Sequence, residues 1–111
     1  MFYTFNQNNS GGSFITNDRV AKYVIIEADS NKEADKKAEE LGIYFNGCAL
    51  GFDCDCCGDR WYESYGNGDN APKIYDKPVK EYQDTWFTKV GETYAYVHNK
   101  DGTVDTYKRT K

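Results

Sequence analysis

The chain has 111 residues, enough for one domain around one core. Ten Tyr and six Phe stand against two Leu and one Met, so aromatic rings must fill that core, and they also supply stacking surfaces with polar tips. A net charge of −4, from 18 acids and 14 bases with no Lys/Arg stripe, argues against bulk DNA or RNA, and no apolar run reaches membrane-spanning length.

MFYTFN at the start alternates aromatic and polar residues and reads as an opening strand. It lacks the basic and apolar regions of a signal peptide, so the expected location is intracellular, with reduced cysteines. QNNSGGS reads as a hairpin loop and SFIT as a returning strand. Val20–Ala28 (VAKYVIIEA) is the clearest strand, centred on Val24, Ile25 and Ile26.

Ser30 and Glu33 are spaced as a capping box, and the helix they open is expected to run to Leu41 and stop at Gly42. Its apolar stripe is Ala34, Ala38 and Leu41; the other face is charged and reads as solvated. Residues 64–73 are a Gly- and Asn-rich loop. Lys73–Asp76 and Thr85–Lys89 are short strand candidates. The chain closes as a hairpin, Thr93–His98 and Thr103–Lys108, around the turn Asn99-Lys100-Asp101-Gly102. The expected fold is α+β: a small antiparallel sheet in a single domain, one helix packed on it, and an irregular Cys-containing insert.

That insert, FDCDCCGDRWY, holds three of the four cysteines. Cys54 and Cys57 form a C-x-x-C-G knuckle able to grip a structural zinc, with Cys48, and Cys56 or His98, to complete the set. A second knuckle is missing, and cysteines in a tight turn also serve as small buried apolar groups. A redox role fits less well, because Asp53, Asp55 and Asp59 would raise the thiol pKa values. Next to the cysteines, Arg60 is placed to fork onto a phosphate while Trp61 or Tyr62 stacks on a base. The plainer alternative is an Asp–Arg ion pair over a buried Trp. The amide-rich loop offers Asn6, Gln7, Asn9 and Ser10 to ribose or phosphate oxygens, without a nucleotide-hydrolysing motif. No catalytic constellation is legible.

FYTFNQNNSGGSF, YVIIEADSNKEADKKAEELGIYFNG and DCDCCGDRWY, in that order between Phe2 and Tyr62, resemble a family of small uncharacterised proteins of tailed bacteriophages. The resemblance implies an accessory, anti-defence role in the cytoplasm of an infected bacterial host. It suggests a homo-oligomeric, non-enzymatic sponge that holds a nucleotide-derived immune signal, of ADP-ribose or cyclic-nucleotide type, without cleaving it. Two rivals stand beside that expectation: a zinc-stabilised interaction module that inhibits a host protein, and a phosphodiesterase-like enzyme that degrades the signal.

Overall fold

The structure is a computed structural model that describes residues 1–8, 14–53, 58–84 and 88–111. Its centre is a four-stranded sheet in the order β1 (Phe2–Asn6), β2 (Tyr23–Glu27), β5 (Thr93–His98), β6 (Val104–Lys108). β1 and β2 are antiparallel, as are β5 and β6, but β2 and β5 run parallel, with Val24 opposite Tyr96 and Ile25 opposite Val97. The fold is α+β as expected, with a mixed sheet in place of a purely antiparallel one. A parallel pair needs a long crossover. Here the chain between β2 and β5 supplies α1 (Asn31–Glu40), α2 (Gly47–Leu50), a small hairpin of β3 (Lys73–Ile74) and β4 (Lys77–Pro78), and α3 (Val79–Tyr82).

This crossover covers both faces of the sheet. Tyr3, Phe5, Val24 and Ile26 pack under Ala34 and Ala38 of α1 and around Trp61. Tyr23, Ile25, Tyr94 and Val97 pack against Ile74 and Val79 on the other side. A strand buried on both faces reads as a continuous apolar run, which is why Val24-Ile25-Ile26 lacks alternation. Ser30 caps α1, its Oγ accepting the Glu33 N–H at 3.2 Å. The Glu33 carboxylate turns to Lys37 instead, also at 3.2 Å, so half of the expected capping box forms. Leu41 is the C-cap, and Gly42 follows in the left-handed region at φ +96°, its N–H bonding the Glu39 carbonyl.

Phe14–Thr16 is not a strand; β1 takes Tyr23–Glu27 as its antiparallel partner. The physical reason lies in Gln7, whose buried amide pairs with Ile15 as a strand residue would. Its Oε1 accepts the Ile15 N–H at 2.5 Å and its Nε2 donates to the Ile15 carbonyl at 2.9 Å. Ile15, at the centre of the Phe14–Thr16 segment, is therefore held by a side chain. Lys73–Asp76 splits into a strand and a turn: Tyr75 and Asp76 connect β3 to β4, both left-handed at φ 48° and 66°. Thr88 and Lys89 lie outside any strand, and residues 85–87 fall outside the described residues. The terminal hairpin forms as read, with Gly102 at φ +92°.

Candidate functional site

Hydrogen bonding along β1 fixes which way each backbone group points. Met1 exchanges both bonds with Ala28, at 3.1 and 2.9 Å, and the Gln7 N–H donates to the Lys22 carbonyl at 2.8 Å. Odd-numbered residues therefore turn to β2, and even-numbered ones face the outer edge of the sheet. At one end of that edge Phe2 exchanges two 2.8 Å bonds with Asp69; at the other the Asn8 N–H donates to the Arg60 carbonyl at 2.8 Å. Between these ends the N–H and C=O groups of Thr4 and Asn6 face outward and have no protein partner among the described residues. A regular antiparallel strand pairing Asp69 with Phe2 would bring Glu63 opposite Asn8. Arg60 stands there instead, three residues earlier in the chain, and the surplus backbone bows away from β1.

The bow leaves a groove of about 370 Å³, lined by β1, by the loop Ser64–Asp69 and by Lys73, Tyr75 and Asp76. Its floor is tied to the β3–β4 hairpin: Thr4 Oγ1 donates to the Lys73 carbonyl at 2.7 Å, and Asn6 Nδ2 to the Tyr75 hydroxyl at 3.2 Å. Lys73 thus sits beside Thr4, and Tyr75 beside Asn6. Gly68, at φ +76°, lets the loop close on β1, since a Cβ there would lie 2.9 Å from that of Met1 and 3.1 Å from the Tyr3 ring. Two exposed rings line the groove, Tyr65 at 88% exposure and Tyr75 at 68%. A two-residue turn with both φ values positive favours Asn-Gly, so Tyr-Asp there accepts a backbone cost of about 1–2 kcal/mol per residue. Such strain concentrates at functional positions.

Arg60 and Trp61 face inward. Trp61 is 2% exposed, within the core layer beneath α1, so its ring is not a platform for a base. The Arg60 Nη1 donates to Gln7 Oε1 at 2.9 Å and its Nε to the Tyr44 hydroxyl at 3.2 Å, while Nε lies 3.9 Å from Asp53 Oδ1. Asp53, its side chain fully buried, accepts from the Tyr44 hydroxyl at 2.7 Å and from the Arg60 backbone N–H at 2.8 Å. Burial, and then the bond to this carboxylate, pushes the Tyr44 phenol above its ordinary pKa. The arrangement is an Asp–Arg pair beside a buried Trp, with Asp53 in place of the adjacent Asp59, whose Oδ1 accepts the Cys48 N–H at 2.9 Å. Gly47 makes room: a Cβ there would stand 1.8 Å from Asp53 Oδ2.

The sequence-predicted residues therefore separate. Gln7, Arg60 and Trp61 hold the fold together, Tyr62 is exposed, and among the described ones Asn6 alone lines the groove. Asn9, Ser10, Cys54, Cys56 and Cys57 lie outside the described residues, which takes the zinc knuckle outside them too. Cys48 is half-buried on α2, His98 Nε2 is 2.8 Å from the Arg19 carbonyl, and no group of three metal-ligating side chains converges among the described residues. None of the described helices is long and apolar enough to cross a membrane. Thr4, Lys73, Tyr75 and Tyr65 escaped the sequence reading. One signal was available: natural sheets guard their edges with charge or proline, as Asp105 and Lys108 do on β6, and FYTFN carries neither.

Fold and groove together define a small α+β domain whose mixed sheet has one guarded edge and one open, groove-lined edge. The whole chain, residues 1–111, matches the model of a domain of unknown function, DUF7296, and the protein belongs to that family. No curated protein and no solved structure matches it.

Proposed function

We propose that this protein is an interaction module that captures an extended segment of a partner protein by strand addition to β1. The observation behind the proposal is the interrupted edge: two residues, Thr4 and Asn6, whose backbone groups have no partner among the described residues, between two ends already paired with the protein's own chain. Backbone donors and acceptors repeating every second residue are what a peptide strand complements, with side-chain pockets adding selectivity. The reading follows the interaction-module expectation, without a role for zinc in the contact. The resemblance to bacteriophage proteins suggests a host defence protein as the target, in the infected cell.

The test uses the full chain labelled with ¹⁵N. Extended peptides are expected to slow amide exchange at Thr4 and Asn6. Thr4→Pro deletes a donor that faces away from β2, where proline is tolerated on an edge, and is expected to abolish binding in a folded protein. Shifts confined to another surface, or unchanged binding by Thr4→Pro, would overturn the proposal.

The exposed rings of Tyr65 and Tyr75, which line the groove together with Lys73, favour a second reading of the same groove: sequestration of a nucleotide-derived signal, its base stacked on a ring and its phosphate on the ammonium. Titration with adenine nucleotides separates the two, since here nucleotides and not peptides would shift Lys73, Tyr65 and Tyr75.

A further inference from the structure

Accepting strand addition at β1, we infer that the groove selects a segment of the form basic–any–acidic, bound antiparallel to β1. The Phe2–Asp69 bridge already sets an antiparallel ladder at one end of the edge. Continued along it, an incoming strand places one residue opposite Asn6 and, two residues later, another opposite Thr4. Side chains of residues two apart in a strand share a face. In cross-strand pairs the side chains directly opposite also lie on the same face. These two incoming side chains therefore emerge on the face carrying the Asn6 and Thr4 side chains, which is where the β3–β4 hairpin lies.

The hairpin presents different chemistry at the two positions. Beside Asn6 stand the exposed Tyr75 ring and, next in the turn, Asp76; beside Thr4 stands Lys73. Neither Lys73 nor Asp76 takes part in an ion pair among the described residues. An Arg or Lys opposite Asn6 would meet a ring face and a carboxylate, and an Asp or Glu opposite Thr4 would meet the ammonium. The residue between them turns to the opposite face, so its identity matters little to this wall. Reversing the order sets like charges against each other at both positions.

Nine-residue peptides with Arg-Thr-Glu, Glu-Thr-Arg or Ala-Thr-Ala at their centre, in one neutral host, test this by NMR titration of the full chain. The first is expected to bind about tenfold more tightly than the third, as two partly exposed charge contacts imply. It should also bind more tightly than the second. The charge-swapped variant Lys73→Glu/Asp76→Lys is expected to invert the order of the two charged peptides. Equal binding of all three peptides, each protecting the Thr4 and Asn6 amides, would refute the selectivity and leave strand addition standing. Failure of every peptide would refute the capture of a partner segment at β1. A concentration-dependent dimer that Thr4→Pro abolishes, with no peptide binding, would overturn both and make a second copy of the chain the occupant of the edge.

Discussion

Replacing Arg60 by Met tests whether this cation belongs to the fold or to a ligand. The change deletes the 2.9 Å bond to Gln7, the 3.2 Å bond to Tyr44 and the pairing with Asp53. The methionine fills much of the side-chain volume, so the packing loss is small. What remains is a carboxylate with no solvent exposure and without its counter-charge. Breaking a buried pair from one side costs about 3–5 kcal/mol, against a total stability of roughly 5–15 kcal/mol for a domain. With a urea m-value of about 2 kcal/mol per molar, the unfolding midpoint should fall by roughly 1.5–2.5 M. Asp53→Asn added to Arg60→Met removes the stranded charge and should recover part of that loss, which a simple cavity effect would not do. A midpoint shift below about 0.5 M would refute the reasoning. It would return Arg60 to the solvent-facing, phosphate-binding role that its neighbours in the sequence suggest.

Gly47→Ala drives a methyl to 1.8 Å from Asp53 Oδ2 and should destabilise by about 2–3 kcal/mol or more, read by thermal or urea unfolding. Converting Tyr75-Asp76 to Asn-Gly relieves two left-handed non-glycine residues, at the loss of the Tyr75 ring contacts with Tyr23 and Tyr82. A net gain of about 1 kcal/mol in stability is expected, together with weaker ligand capture at the groove, so that the two readouts move in opposite directions. His98 gives a pH signature. Burial holds its pKa below the ordinary 6.5, so the unfolded chain takes up a proton first as pH falls. The stability it contributes is complete above about pH 6.5 and is lost progressively below it. The unfolding midpoint should therefore drop below that pH, and His98→Gln should flatten the slope there; an unchanged slope would remove His98 as its source.

The parts of this molecule legible in its sequence are those whose cause is local. Ser30 and Gly42 bracket α1, the apolar run of β2 identifies a buried strand, and Asn99–Gly102 folds the terminal hairpin through contacts only a few residues long. The misread parts depend on residues far apart. No local pattern announces that Gln7 will stand in for a strand beside Ile15, or that β2 and β5 will run parallel across a 65-residue connection from Ala28 to Glu92. Arg60 and Trp61 illustrate a different difficulty. Their residue types suit phosphate and base recognition, yet Asp53, Tyr44 and Gln7 claim the cation and the core claims the ring. The groove is the least legible feature, because the edge it exposes is made of backbone atoms and its shape comes from three surplus residues between Arg60 and Asp69.

The two outer strands are unlike each other, and the difference bears on assembly. β6 shows Asp105 and Lys108 to its surroundings, while β1 is uncharged and offers only the stretch between Asp69 and Arg60. A sheet receptive on both sides can grow copy upon copy into a fibre. This one has a single short berth among the described residues, and charged side chains guard its far side. Under strand addition it would terminate a growing β-assembly at one captured segment per molecule, and its titrations should saturate at one to one.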